Sequence, residues 1–547
     1  MTEKKITITR NSKVGALDAE TDTDFLDKCF VDKGDLEQLL DVENPRAIIL
    51  GRTGSGKSAL IHKIETSVSS CMRLDPNDVS IRFLEYSDII RFFDALNIKL
   101  DLFYRLLWRH LLVVEILKLR YEIRNEEEGK RFIEGVFSWL RKDKARKKSI
   151  EYFNEWGDKF WLNTDEHMKE ITSRLEKETR ATIGFEYSGV GLNTEGIKNL
   201  TEQERVEIKQ RASQVVSGLQ IKKLNEVLDL LGEYAFDDPQ KKFYILIDHL
   251  DENWANTSTR CRFIRALIEE IKTFRKIKTV KIIAALRKDL LELVYDQTRD
   301  SGFQEEKYEA YMLELKWSTA ELKKMISLRV NEVFKSQYTK DSIELDMIFP
   351  KEKKGGGQLA IDFMLERTLY RPRDILQFVN ETFNLVPEGQ CVSWRILSAA
   401  DAQYSLKRLK SLQEEWGEMY PSFEHTVELI RGVQPKFTKS AISSERLSDI
   451  AFLISDMSLA DPCCSAVLSY MEGKGTRESD VIYTILQSLY RIGVIGVKLS
   501  SLDTFSWSHI DQASVSKGDI KRASHFKVHK MLHRALDIDA STPKFQY

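Results

Sequence analysis

The run Gly51-Arg52-Thr53-Gly54-Ser55-Gly56-Lys57-Ser58 fits the spacing G-x-x-x-x-G-K-[ST], a pattern built to hold phosphate. Glycines at those positions let backbone N–H groups curl around phosphate oxygens, because a side chain would block positive φ or close approach. Lys57 would reach the β and γ phosphates, and the Ser58 hydroxyl would be a Mg²⁺ ligand. With Ala59, which opens the following helix, these residues form the expected nucleotide-binding set. An acidic group at the end of a second strand is the other half of such a site, and Phe243-Tyr244-Ile245-Leu246-Ile247-Asp248 supplies it. Asp248 is expected to hold the metal's hydration shell, and Asp251 or Glu252 to act as base or orienter of the attacking water. The alternative is that these are surface carboxylates following a core strand.

Two further groups of cations could complete the site. Arg287 ends the run Lys281-Ile282-Ile283-Ala284-Ala285-Leu286 and would point toward the ligand crevice of an open sheet, sensing the γ-phosphate unless it only makes a surface salt bridge. Arg371 and Arg373 flank Pro372 at a helix start, and would reach the nucleotide from a lid or a neighbouring subunit. Capping and packing with Asp374 is an equally weighted alternative.

These residues need a sheet and helices to position them. Ala47 to Leu50 is a short apolar run ending at Gly51, which suits a buried parallel strand, and an apolar helix comes next through Leu60 and Ile61. Strand-like runs return at Phe243 to Ile247 and Val280 to Ala284 around an amphipathic helix, so a parallel sheet is expected. Between them Leu102, Leu106, Leu107, Leu111, Val114 and Leu117 keep helical spacing. Thr201 with Glu204, and Ser318 with Glu321, make capping boxes. A glycine-containing patch at Gly184 to Leu192 reads as a hairpin or flap, and Gly355-Gly356-Gly357 as a flexible loop.

The expected class is therefore α/β: a P-loop NTPase core with a parallel sheet, a large helical insertion, a helical lid and a C-terminal winged-helix-like domain. The expected boundaries are a lead-in at 1–45, a core at 46–100 and 237–315, an insertion at 101–236, a lid at 316–386 and a C-terminal region at 387–547. The winged-helix expectation rests on the apolar helix through Ile482 to Tyr490, Gly493, and the strand-like Val494-Ile495-Gly496-Val497. An ordinary α/β cap is as good a reading of that stretch.

The chain has 547 residues, enough for about three or four domain-sized units. It carries 83 Lys and Arg against 85 Asp and Glu, so no global field draws it to nucleic acid or anionic lipid. DNA or RNA binding would have to come from local patches such as Arg141 to Lys148, or Lys517, Lys521, Arg522, Lys527, Lys530 and Arg534. No apolar run reaches the roughly 18 residues of a membrane helix, and the start lacks an apolar signal core. A cytoplasmic location without membrane contact is expected. The 6 cysteines are scattered and read as reduced thiols. His525, His529 and His533 fall four apart and would share one face of a helix, as a solvated or phosphate-facing stripe or, less readily, a metal site. Neither G-x-S-x-G, H-E-x-x-H nor paired C-x-x-C occurs. Without an N-K-x-D element for guanine, ATP is the default nucleotide.

Taken together, Gly51 to Ser58, Ile247-Asp248-His249-Leu250-Asp251-Glu252 and Leu286-Arg287-Lys288-Asp289 resemble the STAND and KAP-like P-loop ATPases, whose second motif is often D-x-x-D-E. Phe30-Val31-Asp32, Lys316-Trp317-Ser318, Arg371-Pro372-Arg373-Asp374 and Phe526-Lys527-Val528-His529 are similar to a bacterial FunZ-like group. His249 departs from this pattern, standing where many related ATPases have a glutamate. The resemblance implies an additional-strand P-loop core and nucleotide-dependent switching or homo-oligomerisation, often in antiphage defence.

Three functions are carried forward. The first is a Mg-dependent ATPase acting as a conformational or assembly switch, with a separate protein partner or effector carrying its output. The second is a nucleic-acid-associated loader or remodeller. The third is a scaffold stabilised by ATP that it does not hydrolyse.

Overall fold

The computed structural model describes residues 6, 8–9, 12–76, 87–140, 147–156, 159, 162, 164–183, 201–218, 221–252, 257–299, 305–335, 343–352, 357–388, 390–455, 461–500, 502–510 and 515–538. The expected flap at 184–192, most of the basic run at 141–148 and two of the three tract glycines lie outside them. The chain divides into two compact units. One comprises Asp32–Arg52 and Gly56–Leu315, and the other Met1–Val31, Thr53–Ser55 and Lys316–Tyr547.

The first unit is α/β and is built on five parallel strands: β1 (Ile48–Gly51), β2 (Cys71–Leu74), β3 (Phe243–Ile247), β4 (Val280–Arg287) and β5 (Met312–Glu314), in the order β2-β3-β4-β1-β5. The β-branched and leucine-rich runs of β1 and β3 are buried throughout, as strands covered on both faces must be. Strand β4 lies between β1 and β3. The register aligns the carboxyl ends: Gly51 faces Arg287, Ile247 faces Ala284, and Leu74 faces Ile247. The residues that leave each of these strands therefore gather at one edge of the sheet.

The helices expected as an insertion share the sheet's hydrophobic core. The helix Asp101–Tyr121 packs on Thr257–Phe274, with Trp108 Nε1 donating to the Phe263 carbonyl at 2.9 Å. Their interface buries Arg109, which forks onto Glu270 with contacts of 2.6 and 2.8 Å. Thr201 caps its helix through Glu204, as its spacing predicts, but that helix ends at Gly218 and a second runs Ile221–Leu230. Strands β2 and β5 escape the apolar-run criterion because they are short, and β2 is half-exposed with an arginine in it.

The second unit joins the expected lid and C-terminal region through one core, because the amphipathic helix Pro372–Asn384 lies on Trp394–Trp416 and stacks Phe378 on Tyr404. The described residues before Asp32 group with it. They are anchored where buried Arg329 pairs with Asp22 and donates to the Val14 carbonyl at 2.8 Å. The Ser318–Glu321 capping box opens Thr319–Phe334, and Pro372 stands in its helix's first turn, both as expected.

Helix Glu478–Ile492 ends at Gly493, whose φ of 97° is left-handed, and leads into β7 (Ile495–Lys498). That strand pairs antiparallel with β8 (His525–Val528), which also pairs with β6 (Lys436–Phe437). The common helical face expected for His525, His529 and His533 is therefore not formed. His525 lies on β8, and His529 begins a short 3₁₀ turn with Nδ1 accepting from the Met531 N–H at 3.2 Å. Pairing with β7 holds His525–Val528 extended.

Candidate phosphate-binding site

Strand β1 delivers the loop at the sheet's carboxyl edge. Gly54 (φ 76°) and Gly56 (φ 96°) adopt left-handed backbone that other residues rarely tolerate, and helix Lys57–Ser67 begins directly afterwards. Ser58 and Ala59 sit half-buried in its first turn. The Lys57 ammonium is buried, and among the described residues its hydrogen-bond contacts are long, 3.4 Å to the carbonyls of Gly51 and Arg52. Burial pushes its pKa down, opposed by Asp251, deepened by Arg287 and opposed again by Asp248 and Asp289. A desolvated cation held this way suits a polyanion. The hydroxyls of Thr53 and Ser55 are buried without hydrogen-bond partners among the described residues, which leaves donors for phosphate oxygens.

The tip of the loop, residues 53–55, groups with the second unit. Its three consecutive carbonyls are each taken. Thr53 accepts from Arg371 Nη1 at 2.7 Å, Gly54 from the Arg373 N–H at 3.2 Å, and Ser55 from Trp317 Nε1 at 2.8 Å. Fixing these carbonyls fixes the peptide planes, and with them the direction of the N–H groups available to a ligand.

Both expected lid arginines thus meet the loop's backbone. Arg371 is 3% exposed and also pairs with Asp374 at 3.2 Å and Glu415 at 3.0 Å. Arg373 donates through Nε to the Leu17 carbonyl at 3.0 Å.

At the end of β3, Asp248 is 2% exposed. Its Oδ1 accepts from the His249 N–H at 3.0 Å, and its Oδ2 meets Arg73 Nη2 at 3.2 Å. Arg287 closes β4, forks onto Asp289 and lies 3.8 Å from Asp251 Oδ2. Glu252 is the most exposed of this acidic group. Sequence reading missed Arg73 and Asp75. Asp75 comes directly after β2 and bonds His249 Nδ1 through Oδ2. The signal was faint: Arg-Leu-Asp after two apolar residues, recognisable only once β2 is known to lie beside β3.

Residues 320–413 match the FunZ-associated C-terminal helical domain, bearing out the FunZ-like resemblance; Arg371, Arg373 and Asp374 fall within the match. Over 528 residues the chain is 23% identical to an 80.3 kDa protein of Escherichia coli (strain K12) named for transposon gamma-delta. That alignment covers 93% of this chain and 65% of the relative, so the chain spans a little under two thirds of that protein's length. A segment of 132 residues is 28% identical to the Allergen Alt a 2 of Alternaria alternata, covering 24% of this chain and 68% of that protein. Among solved structures, a Walker-type ATPase of Pyrococcus abyssi is similar with a TM-score of 0.33 and 12% identity, covering 90% of this chain and 96% of that one. Among the described residues no helix is long and apolar enough to cross a membrane.

Proposed function

We propose that this chain is a Mg-dependent ATPase that works as a nucleotide-driven conformational or assembly switch. The observation that carries the reading is the buried Lys57 ammonium at the start of a helix, within electrostatic reach of Asp248, Asp251, Arg287 and Asp289 at the carboxyl edge of a parallel sheet. Gly51, Arg52, Thr53, Gly54, Ser55, Gly56, Lys57, Ser58 and Ala59 would hold the phosphates of ATP. Ser58 and Asp248 offer the hard oxygen donors that fit Mg²⁺, directly or through its water. When bound, the ion would neutralise charge on the β and γ oxygens. Arg287, fixed by Asp289, would sense the γ-phosphate, and Asp251 and Glu252 are the carboxylates available to the attacking water.

The switch is built on the carbonyls of residues 53–55. A loop that holds phosphate through its N–H groups and the FunZ-associated helical region through its carbonyls relays a change at one set to the other. Moving such an equilibrium from 1:99 to 99:1 needs about 5.5 kcal/mol of preference, which several charge-assisted phosphate contacts can supply. A partner protein, or further copies of this chain, would receive the output. The defence setting implied by the resemblance, in the cytoplasm, is part of this proposal.

Nucleic-acid binding through the C-terminal cations has less support. Lys521 pairs with Asp480 at 2.7 Å, Arg522 with Asp519 at 2.6 Å, Lys530 with Glu366 and Arg534 with Asp401 at 3.6 Å. Lys517 donates to Thr484 Oγ1 at 2.9 Å, and Lys527 lies over the Phe505 ring. The helix Glu478–Ile492, which a winged-helix reading would offer to DNA, opens with acidic residues and buries Val481, Ile482, Ile485, Leu486 and Leu489.

The test is phosphate release from Mg·ATP by the full chain beside Lys57→Ala, with and without DNA at two salt concentrations. Turnover lost in the variant supports the ATPase. Salt-sensitive stimulation by DNA would favour the loader reading. Tight ATP binding without turnover would leave a scaffold.

A further inference from the structure

We propose that the outer face of the sheet formed by β6, β8 and β7 binds single-stranded nucleic acid, with Lys436, Lys498 and Lys527 on its phosphates and Phe505 and Trp507 against its bases. The inference stands apart from the ATPase reading and uses none of its residues.

Strand register brings these side chains together. Along β8, Phe526 and Val528 are buried, and His525 and Lys527 alternate with them on the opposite side. Lys436 on β6 stands directly opposite Lys527, and Lys498 on β7 directly opposite His525. Opposed residues of an antiparallel pair share a face, so the three lysines lie together on the side away from Phe437, Val497 and Phe526 of the core.

The chain then returns along the other edge of β7. Val497 N–H donates to the Ser506 carbonyl at 2.9 Å, and Ser506 N–H donates to the Val497 carbonyl at 2.8 Å. Ser506 therefore shares the core side with Val497, and its neighbours Phe505 and Trp507 fall on the lysine side. Two contacts agree with this. The indole of Trp507 lies on Gly496, where a Cβ would come within 2.6 Å of its Cε2. The Lys498 and Lys527 ammoniums stand 6.0 and 5.7 Å from the centroid of the Phe505 ring. Both rings are half-buried, so each keeps surface for a further contact.

This face carries charge that the chain does not balance. Among the described residues, none of Lys436, Lys498 and Lys527 has an ion-pair partner. Lys521, Arg522, Lys530 and Arg534, by contrast, each meet a carboxylate. Like charges directly opposite one another weaken a sheet, and Lys436 facing Lys527 is such a pair. A polyanion laid across the face supplies the missing counter-charge. The rings decide which polyanion. Cations beside aromatic side chains suit a strand whose phosphates and unstacked bases are both accessible. A duplex keeps its base faces inside the stack, and an acidic peptide would satisfy the lysines alone.

The experiment is fluorescence anisotropy on the full chain without ATP, using labelled oligothymidylate, oligouridylate of the same length, and a DNA duplex. Log affinity for the single strands should fall against log salt with a slope of about −2, as expected for three phosphates on a single strand. Replacing Lys436, Lys498 and Lys527 together by Gln should lower affinity at least about tenfold at low salt and bring the slope toward zero. Phe505→Leu keeps an apolar side chain but has no π face, and should cost about fivefold or more with the slope unchanged. Lys521→Gln, at a paired lysine, should stay within about twofold. Lys436→Gln alone removes the opposed charges, so its unfolding midpoint should equal or exceed that of the unaltered chain, which separates lost binding from lost folding.

Tighter binding of oligouridylate assigns RNA to the face, and tighter binding of oligothymidylate assigns DNA. No binding of either single strand at low salt overturns the proposal. So does unchanged affinity in the triple variant, tighter binding of the duplex, or full displacement of the oligonucleotides by polyglutamate at equal charge. A chain that binds single strands through these residues yet releases no phosphate from ATP upholds this inference and removes the ATPase reading.

Discussion

The Arg371 guanidinium donates to the Thr53 carbonyl at 2.7 Å, and the same nitrogen meets Glu415 at 3.0 Å. The tip of the Gly51–Ser58 loop is thus joined to a buried ion network in which Arg408 bridges Asp374 at 3.3 Å and Glu415 at 3.2 Å. Two arginines and two carboxylates, each at most 6% exposed in its side chain, neutralise one another there. A rearrangement of the loop has to be accommodated by that network.

Arg371→Ala should lower stability by about 3–5 kcal/mol, because Asp374 and Glu415 would stay buried with half their counter-charge. Arg371→Lys should recover only part of this, since an ammonium cannot fork onto two carboxylates and a carbonyl together. Denaturant titration reads both, and a loss below about 1 kcal/mol would show that the network relaxes without its arginine.

Gly54→Ala should disrupt the loop directly. A Cβ at Gly54 would lie 2.6 Å from Arg373 Cβ, at a φ of 76°. The left-handed backbone alone costs about 1–2 kcal/mol for an L-residue. We expect ATP affinity to fall at least about tenfold, which is about 1.4 kcal/mol, as measured by nucleotide titration. Unchanged affinity would mean that residues 53–55 do not shape the phosphate cradle.

Glu270→Gln tests the support beneath the sheet. Arg109 is 1% exposed and forks onto Glu270, so removing the negative charge strands a buried guanidinium. A loss of about 3–5 kcal/mol is expected in chemical denaturation. Glu252→Gln, at an exposed carboxylate, should change stability by no more than about 0.5 kcal/mol and serves as the comparison.

Stability should fall on mild acidification. Burial pushes His529 and His167 down to about 3, and His110 well below its ordinary 6.5. Each stays neutral when folded and takes up a proton when unfolded, so the unfolded state binds more protons below about pH 6.5. The stabilisation is complete above that pH and is lost as pH falls toward about 3, by about 1.4 kcal/mol per group between about pH 7.5 and 5.5. His529→Asn should reduce the difference in unfolding free energy between those two pH values by about 1.4 kcal/mol. An unchanged difference would exclude His529 as a contributor.

The place of the Gly51 to Ser58 loop between a strand and a helix, and of Asp248 after β3, was legible because the signals are local: spacing, flanking apolar strands and a helix start lie within a few residues of each other. Capping boxes at Ser318 and Thr201 were legible for the same reason. The histidines at 525, 529 and 533 misled because four-residue spacing resembles a helix face, whereas β8 takes its conformation from β7, about 30 residues earlier in the chain.

The sequence by itself determined that a glycine-rich loop stands between a strand and a helix, because those backbone conformations are dictated by glycines and apolar spacing close at hand. Tertiary structure decided which side chains meet it. Arg73 and Asp75 reach Asp248 and His249 only because β2 pairs with β3 across more than 160 residues, and Arg371 reaches Thr53 across 318. Such contacts are settled by the pairing of strands and the packing of helices, interactions that leave no periodicity in the neighbouring sequence.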